Sequence, residues 1–313
     1  MIIKDVFIYI RVFLRRVKNR IGLYSYKTQN GIIKCKKPIL GGADVGSYFD
    51  PCVIKVNNVF YMYVSCRKNK SIELFISTDG VAWMFKGIVL SGLEENCWCE
   101  RVNRPYVIYL DNKFLLWFTG QDKQYISSIG FAISNDGLLF SKREAPVLKS
   151  ELSFEGKSVM NPVVRFFPEN GIFKMWYSSG DSYEPDIICY AESFDGITWS
   201  KKTDAPVLLP GTHKWDLKKV SVGDVVCLND EYFLFYIGYS NIDTARICVA
   251  KSNDGINWEK DSSGPLISPS KNSWDADSCY RPSVLFDGNK WTIWYNGRKK
   301  RIETIGYAIK KDR

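Results

Sequence analysis

The sequence has a single histidine, His213, among its 313 residues. It lies in a polar stretch between repeats, so neither a histidine-based nucleophilic triad nor a histidine-rich metal centre can be assembled. The nine cysteines are odd in number and dispersed. Only Cys97-x-Cys99 is closely spaced, and it lacks the second pair that a zinc ribbon needs. Cys52, Cys227 and Cys248 sit in strand-like runs, where a buried thiol is the ordinary reading. The pattern fits a reducing compartment better than a secreted disulfide scaffold. No metal and no cofactor are expected. Long uncharged runs are also missing. None exceeds five residues between Asp5 and Arg20, which excludes a transmembrane span there and argues against a cleavable signal peptide.

Net charge is absent from most of the chain. Of 43 Lys and Arg and 34 Asp and Glu, the first 37 residues hold ten basic and one acidic. The remainder carries 33 of each sign, so it offers no basic footprint for duplex nucleic acid. Within residues 3–21, Ile3, Val6, Ile10, Phe13, Leu14, Val17 and Ile21 share one face of a helical projection, and Lys4, Arg11, Arg15 and Lys18 share the other. Residues 1–30 therefore read as a separate basic amphipathic segment. It either lies on an anionic membrane surface or packs on the outside of the following domain or on a partner.

What the chain has in abundance is repetition. Ser-x-Asp-Gly-x-x-aromatic occurs at Ser77–Trp83, Ser134–Phe140, Ser193–Trp199 and Ser252–Trp258. The aspartates Asp79, Asp136, Asp195 and Asp254 are 57, 59 and 59 residues apart, and a decayed copy ends at Asp312, 58 further on. Each unit opens on an apolar run, usually led by a proline, as in Asp50-Pro51-Cys52-Val53-Ile54. A short turn and an aromatic strand follow, such as Phe114-Leu115-Leu116-Trp117-Phe118. A third strand then ends at the Asp-Gly turn, and a fourth is expected at Pro146-Val147-Leu148 and its equivalents. Four short antiparallel strands at a fixed period describe a propeller blade. The expected fold is all-β: a five-bladed β-propeller over residues 31–313. The last unit lacks its fourth strand, and residues 32–40 are expected to supply it and close the ring. The four Asp-Gly aspartates read as turn formers, and Trp83, Trp199 and Trp258 as packing between blades.

In such a ring the start of each innermost strand and the exit of each second strand face one funnel. The starts offer Asp50, Arg104, Asn161, Asp224 and Arg281, with Glu100 and Asp277 just upstream. The exits offer Arg67, Tyr183-Glu184 and Arg298. Carboxylates do acid–base work, arginines grip anions bidentately and aromatic faces take sugar rings. Asp50 breaks the repeat, since no other unit has a carboxylate before that proline.

The run Asp50-Pro51-Cys52-Val53-Ile54-Lys55, then Phe60-Tyr61-Met62-Tyr63-Val64-Ser65 and the Ser-x-Asp-Gly-x-x-Trp units, resembles the five-bladed glycosidases of glycoside hydrolase families 43, 32, 68 and 130. It looks closest to family-43-like proteins of unassigned specificity often found with surface-polysaccharide genes. The resemblance spans about residues 32–312. For families 43 and 32 it implies a first-blade carboxylate, matched by Asp50, a second acid at blade two and a glutamate general acid at blade three. The chain departs at the last two. Blade two has Asn103-Arg104-Pro105 with Glu100 the nearest acid, and Asn161-Pro162 opens blade three, leaving Glu184 as the substitute.

These readings lead to a glycosidase-like enzyme that cleaves or transfers a glycosyl group of a carbohydrate substrate. Asp50 is expected as base or nucleophile, Glu184 as acid and Glu100 as a tuning or hydroxyl-binding group. Arg67, Arg104, Asn161, Tyr183, Asp224, Asp277, Arg281 and Arg298 are expected to bind substrate. The alternatives are a membrane-surface glycosyltransferase using an activated donor and a non-catalytic carbohydrate-binding propeller. The expected location is cytoplasmic and peripheral to the membrane. Each basic residue near anionic lipid contributes about 1 kcal/mol. Replacing Lys4, Arg11, Arg15 and Lys18 by alanine is therefore expected to weaken sedimentation with phosphatidylserine vesicles by roughly a thousandfold.

Overall fold

Alternating apolar residues and two-residue turns make each unit a meander of antiparallel strands. The turns Asn57-Asn58, Asp111-Asn112 and Asn229-Asp230 place both residues at positive φ, the twist that joins strands tightly. A computed structural model describes residues 25–27, 31–42, 46–92 and 97–311. The amphipathic segment 3–21 lies outside the described residues.

Blade one comprises Tyr48–Val56, Val59–Cys66, Ser71–Ser77 and Met84–Ser91. Blade two comprises Arg101–Leu110, Lys113–Gln121, Ser127–Ser134 and Ser141–Lys142. Blade three comprises Ser158–Phe167, Ile172–Gly180, Ile187–Ser193 and Ser200–Lys201. Blade four comprises Lys219–Leu228, Glu231–Tyr239, Ala245–Ser252 and Glu259–Lys260. Blade five has Ser278–Phe286, Lys290–Lys299 and Ile302–Lys311, completed by Ile33–Cys35, with Ser25–Lys27 outside it. The first strand of each blade packs on the next, and Ser278–Phe286 packs on Tyr48–Val56, so the ring is closed. The five-bladed propeller read from the repeat is the fold observed.

The fourth strands differ from expectation. In blades two to four the ladder holds for two residues only, and the Pro-Val-Leu segments rejoin through single bridges, Ile129 with Leu148, Ile188 with Leu208 and Ile247 with Ile267. Leu40 bridges Ile305 in the same way. The closing segment thus reproduces an ordinary blade edge in register. Lys34 repeats the chemistry as well. Fully buried, it is ion-paired to Asp275, which also accepts the Tyr295 hydroxyl at 3.0 Å. Lys201, Glu155 and Tyr177 form the same cluster in blade three, and Lys260, Asp216 and Tyr236 in blade four. Burial alone would raise Glu155, but the Glu151 and Leu152 N–H groups, Lys201 and Tyr177 hold its carboxyl below the usual range.

The blades are joined by one recurring hydrogen bond. Trp294, Tyr63, Trp117 and Trp176, each buried in the second strand of its blade, donate to the glycine carbonyls of the neighbouring turns. The acceptors are Gly80, Gly137, Gly196 and Gly255, at 2.8, 2.9, 2.8 and 2.7 Å. Those glycines have φ between 71° and 79°, and a Cβ there would come within 3.0 Å of the donor's ring or hydroxyl. Only glycine meets both demands. Asp79, Asp136, Asp195 and Asp254 each accept the N–H groups two and three residues on, which makes them turn formers. Trp83, Trp199 and Trp258 stack edge-on against Trp294, Trp117 and Trp176 across the same joints, the inter-blade packing expected of them.

A buried carbonyl that loses its donor costs about 1–3 kcal/mol. Tyr63→Phe removes one hydroxyl and keeps the ring. It is expected to lower unfolding stability by about 1–2 kcal/mol, read as a lower denaturation midpoint with an unchanged m-value.

Candidate functional site

Blades one, two, three and five carry a β-bulge near the start of the inner strand. Asp50, Arg104, Asn161 and Arg281 sit in these bulges with φ of 56°, 53°, 57° and 48°. Each precedes a proline, which normally pushes its predecessor towards extended backbone. Asp and Asn tolerate the left-handed region; arginine does so less readily. Such residues cost about 1–3 kcal/mol each and gather at functional sites. The neighbouring blade holds three of them by the backbone. Asn296 Oδ1 accepts the Asp50 N–H at 2.7 Å, Ser65 Oγ that of Arg104 at 2.8 Å and Thr119 Oγ1 that of Asn161 at 3.0 Å.

The four bulges open into one funnel of about 500 Å³ on the channel axis. Asp50 is at its base, 3% exposed. Its carboxylate accepts Ser65 Oγ at 3.0 Å and is ion-paired to Arg281 Nε at 3.2 Å. Burial and the adjacent Arg104 cation draw Arg281 below the usual guanidinium value, against the attraction of Asp50. Arg104 forks its two terminal nitrogens onto the Tyr183 carbonyl at 3.2 Å. Glu184 follows in the same loop. Burial and the Glu184 charge push the phenol of Tyr239, another lining residue, upward. On the blade-five side Glu303 accepts both Arg67 and the Tyr280 hydroxyl at 2.5 Å. Burial opposes the charge on Arg67, and the Glu303 carboxylate overrides it, raising its pKa.

Arg67, Lys70, Arg101, Arg104, Arg281 and Arg298 line the funnel against Asp50, Glu184 and Glu303. Positive charge is therefore in excess by three. Asn103 and Asn161 also line it, and the Oδ1 of each is buried without a hydrogen-bond partner among the described residues. Such an acceptor is costly unless a ligand hydroxyl or water donates to it.

Asp50, Glu184, Arg67, Arg104, Asn161, Tyr183, Arg281 and Arg298 are brought together as the sequence predicts. Three expected residues are placed elsewhere. Val222 occupies blade four's lining position, and Asp224 stands two residues on, pairing Phe235 as Cys52 pairs Tyr63 and Tyr106 pairs Trp117. There it accepts the Val284 N–H, the Tyr106 hydroxyl and Arg165 as part of the ring's packing. Asp277 is exposed at the rim and accepts the Lys300 N–H at 2.7 Å. Glu100 lines a separate cleft with Trp98 and Lys123. Arg101, Tyr125 and Tyr280 also line the funnel, though the repeat pattern does not mark them. The first is one residue from Glu100, and the second lies in a second-strand exit loop, so position alone could have flagged both.

No family model matches the chain. Over 199 residues it is 30% identical to a 1,2-beta-oligomannan phosphorylase of Thermoanaerobacter sp. (strain X514), covering 60% of this chain and 61% of that protein. The chain thus spans less than two thirds of that relative's length. Among solved structures it is similar to a thermostable family-43 glycoside hydrolase, at 20% identity and TM-score 0.66 over 85% of this chain and 89% of the other. It is also similar to a beta-1,2-mannobiose phosphorylase from Listeria innocua, at 12% identity and TM-score 0.69 over 92% and 96%. The fold is that of the propeller glycoside hydrolases and phosphorylases.

Removing one member of a buried ion pair leaves an uncompensated charge and costs about 3–5 kcal/mol. Arg281→Leu is expected to destabilise by that amount. Asp50→Asn combined with Arg281→Leu should recover part of it in a double-mutant cycle read by chemical denaturation.

Proposed function

We propose that the chain is a glycosyl-transferring enzyme whose co-substrate is an anion, and that inorganic phosphate is that anion. The observation that carries this is the positive excess around Asp50. Hydrolysis needs two carboxylates and a water, whereas phosphate brings its own nucleophilic oxygen and needs cations to hold it. The partnerless Asn103 and Asn161 oxygens suit sugar hydroxyls. The phosphorylase names of two similar proteins agree with this reading.

In the reaction a phosphate oxygen forms a bond to the anomeric carbon. The bond from that carbon to the glycosidic oxygen breaks, and its electron pair stays with the leaving oxygen. Glu184 supplies the proton that the leaving oxygen takes. Asp50, ion-paired and hydroxyl-bonded, faces the positive charge that develops at the anomeric carbon and anchors ring hydroxyls. The products are a sugar 1-phosphate and a shortened glycan, and the reverse direction builds the linkage. A cytoplasmic, membrane-peripheral location belongs to the same reading. It is supported by nine free cysteines and by the basic face within residues 3–21.

The test is incubation with β-1,2-mannobiose and its longer oligomers, with and without phosphate. Sugar 1-phosphate is expected only with phosphate, falling by about 10²–10⁴ in Glu184→Gln and lost in Asp50→Asn. Equal release of free sugar without phosphate would make it a hydrolase. Transfer from an activated donor with no phosphorolysis would make it a transferase.

A further inference from the structure

Two exposed tyrosines stand at the funnel mouth, and the mechanism above uses neither ring. Tyr125 is in the second-to-third strand loop of blade two and Tyr183 in that of blade three, 49% and 46% exposed. Their centroids are 5.9 Å apart with planes inclined at 49°. Tyr125 has φ 63°, a conformation that a bulky side chain adopts only when the surroundings impose it. Asp122 imposes it. Its Oδ1 accepts the Gln124 and Ile126 N–H groups at 2.9 Å, and its carbonyl accepts the Tyr125 N–H at 3.1 Å. Arg101 donates to the same carbonyl at 2.8 Å and lays its guanidinium over the Tyr125 ring, 4.2 Å from the centroid. Arg104 fixes the Tyr183 backbone from below. A strained, cation-backed ring left open on its outer side is built to receive something flat and weakly polar. At the mouth of a sugar-binding funnel, that is the apolar face of a pyranose.

We infer that Tyr125, walled by Tyr183, is a remote subsite that stacks a sugar ring beyond the cleaved bond and makes the enzyme select oligosaccharides over disaccharides. This deepens the reading above and rests on it. The ring does no chemistry. Its contribution is affinity for a third or fourth unit, and Arg101 and Asp122 are positioning residues for it.

The experiment measures binding and turnover separately. Binding of β-1,2-manno-oligosaccharides of two to five units is measured by calorimetry without phosphate, where the proposed phosphorolysis cannot run, on the wild-type protein and on Tyr125→Gly and Tyr125→Phe. Glycine suits the positive φ, so the fold survives the loss of the ring. Affinity is expected to rise about tenfold between two and four units. The step should vanish with Tyr125→Gly and persist with Tyr125→Phe. An affinity independent of length, or a step that survives Tyr125→Gly, overturns the subsite while wild-type phosphorolysis leaves the wider reading standing. A step that depends on Tyr125, in a protein whose wild type turns over nothing, overturns the enzyme and keeps the subsite as a glycan-binding surface. Absence of both binding and turnover overturns both.

Discussion

The ring depends on a hydrogen bond that crosses from blade to blade. An indole N–H or phenol O–H in one second strand meets a glycine carbonyl in the next blade's turn, inside apolar packing where water cannot compete. Sheets packed face to face through side chains alone tolerate sliding. A directional bond at four of the joints removes that freedom and sets the angle between blades. The one joint without it is informative. Blade four has Phe235 at the donor position, and the unit it faces is the one whose Asp-Gly turn has decayed. There the packing is taken over by Trp291, whose ring lies 5.5 Å from both Phe233 and Phe235.

That rigidity is what lets the funnel hold strained backbone. The starts at Asp50, Arg104 and Asn161 are each locked by a side chain from the blade before, so blade spacing and the direction of Asp50 or Arg104 are one variable. The repeat supplies the frame, and departures from the repeat supply the chemistry. Of the bulge residues, only Asp50 is an acid.

Blade number, the closing segment and the turn aspartates were legible because each leaves a periodic mark. Most of the funnel was legible for the same reason, since phase within a blade fixes which face a residue meets. The misplacement of Asp224 shows the limit. Laid against Arg104-Pro105 by eye, Val222-Gly223-Asp224 puts Asp224 at the lining position, yet the ladder gives that position to Val222 and makes Asp224 a packing residue. Glu100 illustrates another. It is the nearest acid in sequence, but Arg101 begins the strand and lines the funnel while Glu100 lines a separate cleft. The fourth strands looked regular because Pro-Val-Leu recurs, although their ladder survives for only two residues.

Closure by Ile33–Cys35 also sets an order of events during synthesis. Its partner strand begins at Ile302, about 270 residues later. At roughly 5–20 residues per second, that strand emerges some 15–50 s after the closing segment. Over that interval the segment, with Lys34, has no ladder to join. Blades one to four can assemble as they leave the ribosome, but blade five, which supplies Arg281 and Arg298, cannot. The nascent chain therefore carries Asp50 without its arginine partner. Any activity that depends on their pairing switches on only when the two ends of the propeller meet.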